Sequence, residues 1–149
     1  MTKKIKILLL SLFAFVLLTL FNTADANSIN SISMDIFLDD EGNASVTEVW
    51  ECYATEGTEV YHPYYNLGNS KITDLTVSDD KEEYTTLSHW NTSGDLEDKA
   101  YKCGINKISD GVELCWGISE YGYHTYTAKY KISNFVSELT DSQMIYWTL

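Results

Sequence analysis

Glu48 is the side chain most at odds with its neighbours. In "VTEVWEC" (Val46 to Cys52) strand alternation places Val46, Glu48, Trp50 and Cys52 on one face, with Thr47, Val49, Glu51 and Tyr53 on the other. A carboxylate among Val, Trp and Cys is partly buried, and a buried charge is too costly to leave uncompensated. Two roles fit such a group. One is an acid with a raised pKa in a reaction site. The other is a structural carboxylate paired with a cation or hydroxyl at a sheet edge, and His62 in "EVYHPYYN" is a candidate partner. The structural role is preferred, because structural ion pairs also perturb pKa values.

Three cysteines are an odd count for an exported chain. Cys103 and Cys115 flank a hairpin around Ser109-Asp110-Gly111, where Gly supplies the positive φ that many turns require. A three-residue turn makes the two cysteines diagonal neighbours on one face, a candidate disulfide. A two-residue Asp110-Gly111 turn puts them on opposite faces, where they cannot pair. Cys52 reads as a small buried hydrophobe in preference to a redox-accessible thiol. Tyr61, Tyr64, Tyr65, Trp90, Tyr121 and Tyr123 are candidates for an aromatic patch that would bind sugar or peptide, although rings of this kind more often fill a core.

Other chemistries lack their residues. The three His are isolated and no Cys or His pair has the short spacing of a zinc site, so no metal and no cofactor is assigned. "DDEGN" and "SDDKEE" offer oxygen ligands but do not match the EF-hand pattern. No serine sits in G-x-S-x-G, and no catalytic residue is assigned.

The elements that must position these residues are strands. Ile32 to Leu38 alternates apolar and polar, Asp39 to Asn43 is a turn cluster, and Ala44 to Ala54 is a second strand, which together predict a β-hairpin. "SKITDLTVSD" is a further strand with Ile72, Leu75 and Val77 as its apolar positions. "YGYHTYTAKYKIS" is a long one, with Tyr126, Ala128, Tyr130 and Ile132 on one face and Thr125, Thr127, Lys129 and Lys131 on the other. "NFVSELTDSQ" reads as a loop or short helical turn before a final strand from Met144. No segment beyond the leader sustains a 3.6-residue apolar period. The expectation is an all-β fold, an antiparallel β-sandwich rather than a barrel, in one domain spanning 27–149.

Residues 1–26 read as a secretory signal peptide. Lys3, Lys4 and Lys6 precede the 15-residue apolar run "ILLLSLFAFVLLTLF", and "ADA" at Ala24 to Ala26 supplies a small-x-small cleavage site. The run is short of the roughly 20 residues that span a bilayer. No second run of that length appears, so membrane anchoring would require segments absent from this chain. The formal net charge is −12, and losing the leader with three Lys and one Asp makes it −14. Every basic residue is Lys; there is no Arg. Both the negative field and the missing guanidinium groups exclude nucleic acid as a partner.

Three stretches carry a family resemblance: "G-x-A-x-V-T-E" at Gly42 to Glu48, "I-T-D-L-T-V" at Ile72 to Val77, and "Y-x-I-S-N-x-V…D…Y-W" from Tyr130 to Trp147. With the leader, they resemble the N-terminal extracytoplasmic domain of the DUF2207 family of predicted bacterial membrane proteins. The resemblance leads one to expect an Arg after Glu59-Val60-Tyr61; His62 stands there, leaving Glu48–His62 as the substitute pair. It implies an exported β-rich domain continuing through further strands into transmembrane helices. Tyr146-Trp147 would then lie inside a domain that is truncated at Leu149. The expectation is a non-catalytic domain at the extracellular face of the cell membrane, with an unknown envelope or extracellular partner. The alternatives are a secreted carbohydrate- or peptide-binding module, or an envelope hydrolase using a carboxylate such as Glu48.

Overall fold

Strict alternation in β2 (Ala44–Ala54) organises the molecule. Ala44, Val46, Glu48, Trp50, Cys52 and Ala54 are buried, while the residues between them are partly or fully exposed. A period of two lets one face of a strand serve the core and the other meet water. In the computed structural model, which describes residues 26–145 and Trp147, β2 lies between β1 (Ser28–Leu38) and β8 (Gly122–Ser133). β4 (Lys71–Ser78) completes a four-stranded antiparallel sheet in the order β1-β2-β8-β4. The expected leader lies almost wholly outside the described residues, as does Tyr146 of the expected final strand.

A second four-stranded sheet faces the first, in the order β3 (Glu59–Tyr65), β7 (Gly111–Gly117), β6 (Lys102–Ile108), β5 (Thr85–Leu87). It is mixed rather than purely antiparallel, because β5 runs parallel to β6. About 60% of the structure is strand. The described helix α1 (Leu96–Lys99) is a single turn, capped where Asp95 Oδ1 accepts from the Asp98 N–H. A short ribbon pairs β9 (Val136–Glu138), where a loop or helical turn was expected, with β10 (Gln143–Ile145), at the place of the expected final strand. Among the described residues no helix is long and apolar enough to cross a membrane.

The core sits between the sheets. Trp50 meets Trp116 edge-on at 5.4 Å, and Trp116 meets Tyr126 at 5.9 Å; such pairs add about 0.5–1.5 kcal/mol each beyond their buried area. β4 reaches this core by breaking its own period. Ile72 and Leu75 are three residues apart, which a regular strand would send to opposite faces. A bulge between Thr73 and Thr76, with Asp74 at φ 58°, turns both inward beside Val77.

The hairpin of β6 and β7 turns on Ser109-Asp110, with Ile108 opposite Gly111. Gly111 is therefore a strand residue and not the turn glycine expected. Its need for Gly is steric, since a Cβ there would lie 1.9 Å from the Tyr64 carbonyl oxygen on β3.

β1 differs from the other long strands. Register with β2 turns Ile29, Ile32, Met34, Ile36 and Leu38 toward the interior side, yet Met34 is only half-buried and the other four are exposed. The second sheet stops at β3, and the side chains of β3 meet those of β2 and β8. One strand of the first sheet thus overhangs the second.

Candidate functional site

The carboxylate of Glu48 is wholly buried on the inner face of β2. Its sheet neighbours are Met34 on β1 and Ala128 on β8, and the small Ala128 leaves room for groups arriving from across the core. The Trp50 Nε1–H donates to Oε2 at 2.7 Å. The Tyr64 hydroxyl reaches Oε1 at 3.0 Å, and the Tyr130 hydroxyl donates to the same oxygen. His62 Nδ1 lies 3.2 Å from each oxygen. A carboxylate only accepts, so Nδ1 carries the proton, and the ring is further held edge-on by Trp50 at 5.3 Å and tilted against Tyr64 at 4.4 Å.

Burial by itself would raise the Glu48 pKa. The hydrogen bonds from His62, Tyr130 and Trp50 and the charge of His62 outweigh it, and the net displacement is below the ordinary carboxylate value. This is the reverse of a catalytic acid, which needs its proton retained at working pH. Burial, the Glu48 charge and their hydrogen bonds to it push the Tyr64 and Tyr130 hydroxyls up, so both stay protonated as donors. The two hydroxyls also touch one another, so two protons serve three oxygen–oxygen contacts. None of Glu48's described partners is a second carboxylate, the arrangement that glycoside hydrolysis requires. The cluster is built to keep an anion in place.

Sequence reasoning named Glu48 and His62, and the structure brings them together across the two sheets. It assigned Tyr64 to a surface patch, and nothing local pointed to Tyr130, which is 82 residues from Glu48.

The candidate aromatic patch is divided. Tyr64 and Trp90 are buried, Tyr61 and Tyr65 lie on the outer face of the second sheet, and Tyr123 packs on Tyr53 on the outer face of the first, at 4.5 Å. Tyr121 is tied by its hydroxyl to the Gly57 carbonyl. The physical reason is the strand period, which sends Tyr64 inward between two outward neighbours.

The candidate disulfide is also absent. Cys103 and Cys115 are free, because Cys103 faces Trp116 and Cys115 faces Gly104, which puts the sulfurs on opposite faces of the sheet. Burial raises the pKa of both thiols, with the charges of Glu59 and Glu113 helping to push Cys115 up to about 12. Cys52 is buried and free.

A second buried polar group escaped sequence reasoning. Lys99, almost fully buried, donates to Thr58 Oγ1 at 2.9 Å and the Thr92 carbonyl at 3.0 Å, and pairs with Glu59 at 3.1 Å. Trp90 Nε1 donates to the same Glu59 oxygen. Lys99 closes α1 onto β7, where a Cβ on Gly117 would sit 1.9 Å from the Lys99 carbonyl oxygen. A single Lys in "LEDK" carries no local sign of burial.

The acidic turns serve themselves. Asp39 accepts from the backbone of Glu41 and Asn43, and Asp79 from Lys81 and Glu82. Among the described residues no group of three or more His, Cys, Asp or Glu is arranged to hold a metal. No protein-family model matches the chain, and no curated protein or solved structure matches it significantly.

Proposed function

We propose that the chain is an exported, non-catalytic interaction domain of a cell-envelope protein, held at the membrane by segments outside these residues. The observation that carries the reading is the uncovered inner face of β1. Ile32, Ile36 and Leu38 are about 40% exposed on the side of the strand that packs inward everywhere else in its sheet. Apolar side chains aligned this way mark a surface that another chain segment covers. The sealed, fully hydrogen-bonded Glu48 supports a structural over a hydrolytic use of its carboxylate. The apolar leader and small-x-small tripeptide support export, and the resemblance to the DUF2207 family supports the envelope setting.

Site-specific photocrosslinking in cells tests it. A benzophenone side chain at position 36 is expected to give a discrete adduct with another envelope polypeptide segment. The same group at Phe37, exposed on the outer face of the same strand, serves as control. Equal labelling from both positions would sink the interaction reading. N-terminal sequencing of the exported protein is expected to begin at Asn27.

A further inference from the structure

We propose that the seam between β1 and β3 receives one extended polypeptide strand, apolar at alternate positions and flanked by Lys or Arg, which adds to the outer edge of β3. This rests on the reading of the domain as an interaction module and names its partner's form.

The geometry sets the width. Sheets of a sandwich stack about 10 Å apart and strands within a sheet are about 4.8 Å apart, so an overhang of one strand leaves room for one strand. The apolar floor of the seam is the row Ile29, Ile32, Met34, Ile36 and Leu38. Its side wall is the backbone of β3, which has no partner strand beyond it among the described residues. At one end the seam opens into a cleft of about 500 Å³ between Ile29, Trp50, Cys52 and Val60. At the other it opens into about 320 Å³ between Ile36, Leu38, Phe135, Ile145 and Trp147.

The edge of β3 is usable for pairing. Pro63 lacks an N–H, so in its ladder with β7 its nitrogen turns away from that strand. Antiparallel geometry then turns the backbone groups of Glu59, Tyr61 and Tyr65 outward as well. Tyr61 and Tyr65 offer both N–H and C=O to an incoming strand, and Pro63 offers its carbonyl. Backbone pairing of this kind supplies affinity, while alternate side-chain pockets supply selection.

A second copy does not fit by edge-to-edge pairing. If two β3 strands met, the β1 of one copy and the β2 of the other would claim the same space above the joined sheet. If two β1 strands met, two strand positions would stay empty between the β3 edges and the apolar rows would remain uncovered.

Charge selects the occupant further. β1, β2 and β3 carry no Lys, in a chain of formal net charge −12. The mouth beside Trp147 is acidic, with Asp40, Glu41 and Glu138, while at the Ile29 end Glu59 is already paired with Lys99. A strand with basic flanks is attracted and an acidic one is repelled.

The probe is the peptide KKVTVTVKK, titrated into the chain as exported, against KKVVVTTKK, which keeps composition and flanks but loses alternation. The alternating peptide is expected to bind at least tenfold more tightly and to slow amide exchange at Tyr61 and Tyr65. Ile32→Thr with Ile36→Thr is expected to weaken it by tenfold or more. Equal binding of both peptides, or protection confined to strands other than β3, would overturn strand addition, as would a dimer in sedimentation whose interface protects Ile36. An adduct at position 36 in cells without peptide binding would leave the interaction reading standing and remove this one.

Discussion

His62 Nδ1 sits equidistant, at 3.2 Å, from the two carboxylate oxygens of Glu48, and so joins β3 of one sheet to β2 of the other. The link lies at the open side of the sandwich, where the His62 side chain is 15% exposed and that of Glu48 is sealed. The anion therefore depends on a partly buried N–H donor on the edge strand of the facing sheet.

Replacing Glu48 separates shape from charge. Glu48→Gln keeps one acceptor oxygen for Trp50 and His62, and its amide can donate to the Tyr64 and Tyr130 hydroxyls, which both give and accept. The expected cost is about 1–3 kcal/mol, that of imperfect buried hydrogen bonds. Glu48→Leu removes the acceptor of all four donors, of which only one hydroxyl can turn to the other, and is expected to cost about 3–5 kcal/mol, as when one member of a buried pair is removed. Urea unfolding midpoints of the two variants give the comparison. Equal values would mean that the hydrogen bonds Gln can keep contribute no stability.

The lowered pKa of Glu48 gives the pH dependence its sign. The unfolded carboxyl titrates near the ordinary glutamate value of 4.5 and the folded one below it, so over that interval the unfolded state holds more protons. Stability from this group is full above the ordinary carboxylate range and is lost as pH falls through the folded value. Thermal scans between pH 7 and pH 3 are expected to show a plateau and then a decline, and Glu48→Gln is expected to flatten that decline. Some slope remains from Asp79, lowered as well because backbone bonds from Glu82 and Lys81 outweigh its burial. A decline of the same steepness in the variant would mean that Glu48 titrates as a solvated group.

Two buried tyrosine hydroxyls are expected to respond in opposite directions. Among the described residues Tyr126 OH has no hydrogen-bond partner, so Tyr126→Phe removes an unsatisfied polar atom and is neutral or stabilising by up to about 1–3 kcal/mol. Tyr130 OH serves Glu48, so Tyr130→Phe leaves the carboxylate short of a donor and destabilises by a similar amount. The two melting temperatures are expected to fall on either side of the parent value.

The three thiols are expected to be silent in the native state. Cys52, Cys103 and Cys115 are buried and free, and burial raises the pKa of each. A thiol-reactive dye should label none before unfolding and three afterwards, and reductant should leave the melting temperature unchanged. A drop in melting temperature on reduction would restore the Cys103–Cys115 bond.

What was legible in the sequence follows distance along the chain. The alternation of β2 and β8 stood out because each strand keeps one solvent per face over its whole length. Glu48 was conspicuous because it broke that pattern. Its donors were not, since Tyr64 and Tyr130 arrive from other strands and look like any aromatic residue in a β-rich chain. Gly111 was misplaced for a related reason, as the sequence around Ser109-Asp110-Gly111 suits several turns and only the approach of Tyr64 from β3 selects the register. The parallel pairing of β5 involves three residues, too few to leave a pattern.

The pairing of β2 with β8 has a consequence for the order in which the molecule forms. Ala44 meets Ile132, so the central contact of the first sheet closes a loop of nearly ninety residues. Loop closure on this scale precedes any reward from packing, and proteins dominated by such contacts fold in about milliseconds to seconds. During that interval the β1–β2 hairpin, local and early, presents Val46, Trp50 and the whole apolar row of β1 to its surroundings. Under the proposed export, N-terminus first, that hairpin would emerge well ahead of β8, the strand it must pair with. Factors that hold extended apolar strands would then meet this segment before its own sheet does.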